Sequence, residues 1–271
     1  NPYCLENTTV CRDRQTAFLP GFKPGVSCLI IMNGYWDGPK PEPQVRTIEE
    51  MREVLADPGC TSDQPLYFMY RDLARSESDR NWLRQHHVRY DITIIPSRTL
   101  CGEYIKTKGH YHTANPAGEL YPEIYEVLEG TGHYLLQTQN ADDVVMIEGT
   151  VGDKILIPPG YGHVTINPAR EDLVMANLVS SEFSSNYGPY ADLQGAAYYE
   201  MEGGALVKNP RYRDAPPVRY CNPVEVPDLG IEKEIGLYDL IGRPRSVAFL
   251  NHPEQFMEIF ADVTGGCLVM R

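Results

Sequence analysis

The sequence predicts an all-β core, a small antiparallel barrel or sandwich, flanked by N- and C-terminal extensions containing short helices. Three observations predict this class. From about residue 88 onward the chain falls into short runs that are either alternating or wholly apolar, each ended by turn residues. The links between the runs are a few residues long, too short for the helical crossovers that parallel strands require. The 271 residues and 42% hydrophobic content provide one sizeable core plus embellishments.

In chain order, residues 1–44 form an N-terminal extension rich in Pro and Gly, closing near "GYWDGPKPEP". Residues 45–213 form the main domain. There "TIEEMREVLADPG" predicts a short helix, with Thr47 as N-cap, Glu50 completing a capping box and Asp57-Pro58-Gly59 as the stop. Residues 76–87, "SESDRNWLRQHH", predict a second helix. Strands are expected in "VRYDITII", "GEYIKT", "EIYEVLE", "GHYLLQT", "DVVMIE", "KILIP", "HVTIN" and "LVMANLV". Residues 214–271 form a C-terminal extension of Pro-rich turns, with a helix expected in "NHPEQFMEIF".

Composition excludes some function classes. Lys and Arg number 24 against 37 Asp and Glu, a formal charge of −13, which argues against a general nucleic-acid or anionic-membrane binder. An anionic small molecule needs only a local pocket and stays open. No apolar run reaches the ~18 residues of a membrane-spanning helix, and the N-terminus shows neither region of a secretory signal. The seven cysteines, Cys4, Cys11, Cys28, Cys60, Cys101, Cys221 and Cys267, are odd in number, scattered and without a CxxC pair. Neither a disulfide framework nor a cysteine-rich zinc site is expected; reduced thiols in a cytoplasm are.

Two stretches carry chemistry. In "KGHYHTANPAGELYPEIYEVLEGTG", residues 108–132, His110 and His112 lie two apart. Side chains two apart on a strand face one side, so both can reach one ion while Tyr111 points away. "GDKILIPPGYGHVTIN", residues 152–167, has the spacing G-x5-P-x-G-x2-H-x3-N, in which a turn reverses the chain and His163 opens the next strand facing inward. Together the stretches resemble the paired motifs of the cupin superfamily, small β-barrels that hold a metal through three histidines and a glutamate. One departure stands out: ten residues separate His112 from the E-x6-G glutamate, Glu123, more than the family usually has. Glu119 and Glu126 are therefore alternatives. Glu126 is out of phase with Glu123 and Glu119 sits in an expected turn, whereas Glu123 stands at the right distance from Gly130. Three imidazoles and a carboxylate suit Fe²⁺, Mn²⁺, Ni²⁺ or Zn²⁺, and an octahedral ion keeps two positions open.

Within that superfamily, "TKGHYHT", "EIYEVLEGTGHYLLQT", "PPGYGHVTIN", "SSNYG" and "KNPRY" resemble, in order, the cupin-type glucose-6-phosphate isomerases of archaea and some bacteria, over roughly residues 45–213. The resemblance implies one divalent ion per chain, Fe²⁺ first among the four, held by His110, His112, Glu123 and His163. It implies a phosphate loop at Thr107–Gly109 helped by Thr93, and a sugar pocket lined by Tyr125 and Tyr187. One family tyrosine has no counterpart near Val179. The implied reaction interconverts glucose 6-phosphate and fructose 6-phosphate through an enediolate with Glu123 as base; a hydride shift is the rival route. A cytoplasmic homodimer without nucleic-acid or membrane partners is implied as well. A mannose-6-phosphate isomerase, a metal-dependent oxygenase and a non-catalytic sugar-phosphate sensor are the alternatives.

The residues themselves add a physical reading. "TKG" offers a hydroxyl and a glycine N–H to an anion, with Lys106 or Lys108 supplying charge. Strict alternation puts both lysines on the His110 face and Thr107 on the other, so Gly109 must break the strand. A solvated edge for "KTK" and simple core packing for Tyr125 remain open readings.

Overall fold

A computed structural model describes residues 34–265. Most of the expected N-terminal extension lies outside them, as do Cys4, Cys11, Cys28 and Cys267. Two antiparallel sheets face each other as the walls of a β-barrel. The first runs β1 (Gln44–Arg46), β2 (Tyr67–Tyr70), β3 (Val88–Ile95), β12 (Leu173–Ser180), β7 (Glu123–Glu129) and β10 (Lys154–Ile157) in spatial order. The second runs β11 (Tyr161–Ile166), β8 (Thr131–Thr138) and β9 (Val144–Thr150), with β16 (Arg219–Cys221) added in parallel at the edge. Short pairs complete it: β6 (Tyr111–His112) with β13 (Ser185–Asn186), and β4 (Thr99–Leu100), β5 (Glu103–Tyr104), β14 (Tyr198–Met201) and β15 (Ala205–Lys208) in a four-stranded ribbon.

The period of two explains which residues go where. On β3 and β12 the even-numbered Ile92, Ile94, Val174, Ala176 and Leu178 point out of the barrel, and the odd-numbered Ile95, Leu173 and Met175 point in. An outward apolar row needs a cover. The C-terminal segment provides it: Leu229, Ile231, Leu237, Leu240, Val247, Phe249, Leu250 and Phe260 form one buried cluster with that row. This double burial is why "LVMANLV" reads as continuously apolar rather than alternating. Between the sheets lies the other cluster, with Val127, Tyr134, Leu136, Ile147 and Ile155 among its members.

The first expected helix forms as α1 (Ile48–Met51) and runs on as a tighter turn over Arg52–Val54, ending before Asp57-Pro58-Gly59. Its capping box is present, the Glu50 carboxylate accepting from the Thr47 N–H at 2.9 Å. The second, α2 (Glu77–Gln85), starts at Ser76, whose hydroxyl accepts from the Asp79 N–H. In "NHPEQFMEIF" the helix is delayed to Met257–Gly265, after a turn of 3₁₀ helix at Pro253–Gln255.

Two expectations need correction. Cys60 and Cys101 are joined in a disulfide, with Cα atoms 6.2 Å apart, so these thiols are not reduced. They lie 41 residues apart in sequence and meet only through folding: Cys101 occupies a left-handed turn position (φ +50°) between β4 and β5. The spacing of cysteines carries no trace of such a pairing. The strand expected over "GEYIKT" stops at Tyr104, and the chain then crosses to β11 through isolated pairs. Lys106 pairs with Ile166 and His110 with His163, so four steps on one side match three on the other. One residue is extra, a β-bulge at Thr107–Gly109.

Candidate metal centre and substrate pocket

That bulge sets the geometry of the site. Directly opposed residues point to the same side of a sheet, so His110 shares the inward face of His163 while Lys106 shares the opposite face with Ile166. The alternation expectation for Lys106 is thus overturned by a single inserted residue. Lys106 is buried against Glu103 and over the Tyr199 ring, away from the pocket. Tyr111 points away from the histidines as expected, its hydroxyl donating to the Thr138 carbonyl at 2.9 Å. Gly109 and Gly162 make room for aromatic rings: a Cβ on Gly109 would lie 2.5 Å from Tyr190, and one on Gly162 2.7 Å from Tyr111. Gly130, the last position of E-x6-G, has φ +79°, and a Cβ there would meet the Asp172 carbonyl at 2.7 Å.

His110, His112, Glu123 and His163 converge. One donor atom from each lies within 4.8 Å of every other. The Nε2 atoms of His110 and His112 are 3.2 Å apart, and Glu123 Oε2 lies 3.3 Å from His112 Nε2 and 3.4 Å from His163 Nε2. Metal–nitrogen bonds of about 2.1 Å at right angles would put neighbouring donors about 3 Å apart, so the cluster has the dimensions of a coordination shell. The surrounding hydrogen bonds support that fit. The Tyr121 carbonyl, 2.7 Å from His112 Nδ1, fixes the proton there and turns the Nε2 lone pair inward. Asn177 Nδ2 donates to Glu123 Oε1 at 2.6 Å, while the fully buried Oε2 has no hydrogen-bond partner among the described residues. A buried carboxylate oxygen left so is costly unless a cation meets it.

Electrostatics agree. Burial and the neighbouring His163 and His112 push the His110 imidazole well below its ordinary range, and burial brings His163 down to about 4. The His110 and His163 rings are therefore available as neutral imidazoles at neutral pH. Burial opposes ionisation of Glu123, but the His112 ring beside it and the His163 and Arg71 charges outweigh that, leaving it below the usual carboxylate value. Burial and the Glu123 charge hold the Tyr125 hydroxyl protonated, 3.0 Å from His163 Nε2.

Above the cluster lies a pocket lined by Thr93, Thr107, Tyr125 and Tyr187, the four side chains expected to meet substrate. Gly109 does not line it and packs against Tyr190 instead. Glu119, the turn alternative, lies between Asn115 and Leu120 in a loop, its N–H bonded to Asn115 Oδ1. Glu126 points outward on the other face of β7, bonded to Lys154 Nζ at 3.1 Å and to the Leu237 N–H at 2.6 Å.

Sequence reasoning passed over Arg71, Arg89 and Asn177, which also line the pocket. A signal was present in "VRYDITII": alternation puts Arg89, Asp91 and Thr93 on one face of an otherwise apolar strand. Asp91 is fully buried and accepts from Arg71 Nη1 at 2.7 Å, from Arg89 Nε at 2.9 Å and from the Asp72 N–H at 2.8 Å. Burial opposes the Arg71 charge, but Asp91 more than offsets it and holds the guanidinium ionised.

The model of the glucose-6-phosphate isomerase (GPI) family matches residues 45–217. The glucose-6-phosphate isomerase of Thermococcus gammatolerans is 28% identical over 204 residues, 74% of this chain and 93% of that one. Those of Thermococcus onnurineus and Pyrococcus furiosus are 27% and 26% identical over 205 and 206 residues, each covering 74% of this chain and 94% of theirs.

Proposed function

Since the chain belongs to the glucose-6-phosphate isomerase family, we propose that it interconverts glucose 6-phosphate and fructose 6-phosphate at the pocket above His110, His112, Glu123 and His163. The observation that carries this reading is the open side of that cluster: four convergent metal donors at one end of a pocket lined by hydroxyls and cations. A divalent ion held there, Fe²⁺ by preference, polarises a carbonyl and stabilises developing negative charge on oxygen.

The chain's own residues do the rest. Thr93 and Thr107 offer hydroxyls to the phosphate, with the Gly109 backbone behind them, and Tyr125 and Tyr187 wall the sugar. Thr107 is held by two bonds to β11: its N–H donates to the Thr165 carbonyl at 2.8 Å and its Oγ1 accepts from the Thr165 N–H at 2.9 Å. Its hydroxyl hydrogen stays free to donate. Glu123 removes the C2 proton of the open-chain aldose, giving an enediolate, and returns it to C1, while the O2 hydroxyl proton passes to O1 so that C2 becomes the ketone carbon. The Asn177 bond to Oε1 fixes the carboxylate plane for both transfers. A base so placed contributes about 10²- to 10⁴-fold.

No helix among the described residues is long and apolar enough to cross a membrane. A cytoplasmic location rests on the substrate, an ionic sugar phosphate; the Cys60–Cys101 bridge lends it no support. A homodimer is the expected assembly, checked by light scattering. The decisive experiment is metal analysis of untreated protein with assays on glucose, mannose and fructose 6-phosphates, run also in D₂O. One divalent ion per chain, turnover of the glucose–fructose pair and deuterium at C1 or C2 are expected. Turnover of mannose 6-phosphate alone, or oxygen uptake without isomerisation, would replace the assignment. Activity with no deuterium incorporated would favour a hydride shift.

A further inference from the structure

A phosphate dianion in a buried pocket needs charge as well as hydroxyls, and the loop expected to supply it has little to give. Lys106 is turned away and paired with Glu103. Lys108 does line the pocket, its ammonium over the Tyr187 ring, but that charge is paired with Glu53, and its N–H donates to the Tyr67 hydroxyl at 3.0 Å. The Thr107 N–H is bonded to Thr165. Across the barrel the situation is reversed. Arg71 and Arg89 both line the pocket and share the single carboxylate of Asp91, leaving one net positive charge. Arg71 Nη2 has no oxygen partner among the described residues; it rests 3.0 Å from the Met69 thioether, a weak acceptor. Arg89 donates only through Nε, and its two terminal nitrogens have no hydrogen-bond partner among the described residues. The register puts Met69, on which Arg71 rests, opposite Thr93, and alternation puts Arg89, Asp91 and Thr93 along one face of β3.

Resting on the isomerase reading, we propose that Arg71 and Arg89, oriented by Asp91, form the charged subsite that recognises the phosphoryl group of the substrate, the hydroxyls of Thr93 and Thr107 completing it. Asp91 holds each guanidinium by one edge, so the remaining N–H groups converge on the pocket as a pre-set fork. This subsite makes the enzyme selective for phosphorylated sugars through its arginines rather than through the lysines of "KTK".

The test uses the full-length, metal-loaded protein with Arg71→Gln and Arg89→Gln, and orthophosphate as a probe that needs no turnover. Each substitution should raise KM for fructose 6-phosphate about 10- to 100-fold, the loss expected when a charged hydrogen-bonding group is removed from a binding site. Turnover number and metal content should change little in Arg89→Gln; Arg71→Gln also removes a charge acting on Glu123, so it is read by KM and orthophosphate affinity. Orthophosphate affinity, read by calorimetry, should fall in parallel, and Arg71→Lys should recover part of it. Unchanged KM and unchanged orthophosphate binding in both variants, with folding confirmed by circular dichroism, would overturn the subsite and leave the isomerase reading standing. Arginine-dependent orthophosphate binding in a wild-type protein that isomerises nothing would support the subsite and remove the isomerase reading.

Discussion

Two glutamates three residues apart on β7 show how differently the two faces of one sheet are built. Glu126, on the outer face, is buried with both oxygens bonded, one to Lys154 and the other to the Leu237 N–H of the C-terminal segment. Glu123, on the inner face, is buried with one oxygen bonded to Asn177 and the other without a hydrogen bond. Outside, this carboxylate is completed by the fold itself. Inside, groups are left wanting a partner that the chain does not contain. An incomplete buried carboxylate, a guanidinium resting on a thioether and three imidazoles crowded together mark the face proposed to do the chemistry. The completed pair marks the face that holds the fold together.

The comparison can be broken by substitution on each face. The largest effect belongs to the histidines: His163→Ala or His112→Ala should lose the ion and with it nearly all turnover. Elemental analysis with an isomerase assay reads both, and full metal occupancy with normal turnover in either variant would remove that histidine from the shell. Next comes Glu123→Gln, which keeps an oxygen donor and loses the base. Metal should bind more weakly while kcat falls about 10²- to 10⁴-fold. Near-normal kcat in the metal-loaded variant would leave Glu123 as a ligand alone.

On the outer face the same substitution should move a different quantity. Glu126→Gln leaves the Lys154 ammonium buried without its counter-charge, which costs about 3–5 kcal/mol of stability. Urea unfolding should show that loss, with kcat for the surviving folded protein unchanged. A drop in kcat to the level of Glu123→Gln would mean the two faces are not separate in function. Thr107→Glu is a smaller perturbation, setting a carboxylate where phosphate is proposed to sit. KM should rise at least about tenfold, the scale of a charged contact, with metal content unaltered; a constant KM would make Thr107 structural.

The smallest effect is expected away from both faces, at His133, which lies between Glu200 and Glu148 at 2.9 Å and 3.0 Å. Burial works against its charge, but the bonds and charges of Glu200 and Glu148 prevail, so its folded pKa is raised. A raised histidine stabilises the fold fully below its unfolded value of about 6.5 and loses that contribution as pH climbs through the folded value. Stability measured from pH 6 upward should therefore decline slightly in the native chain, and His133→Gln should flatten the slope. An equal slope in both would place the pH dependence elsewhere.

Much was legible in the chain itself. Short alternating or apolar runs located nearly all the long strands, a capping box located the first helix, and turn glycines at fixed spacing singled out His163 and Glu123. These features are local, and their period or backbone conformation is written in consecutive residues. The inward-facing Arg89, Asp91 and Thr93 were legible too, although nothing in sequence says that Arg71 joins them from another strand.

Other features only the tertiary structure decided. One extra residue at Thr107–Gly109 reversed the facing of Lys106, because register depends on the partner strand and not on the strand alone. The disulfide between Cys60 and Cys101 required two loops 41 residues apart to meet. Of the two lysines of "KTK", Lys106 turned away to Glu103 and Lys108 stayed at the pocket paired with Glu53, while Arg71 and Arg89 arrived there sharing one carboxylate. Sequence determined the donors; long-range packing determined which of them were left with something to give.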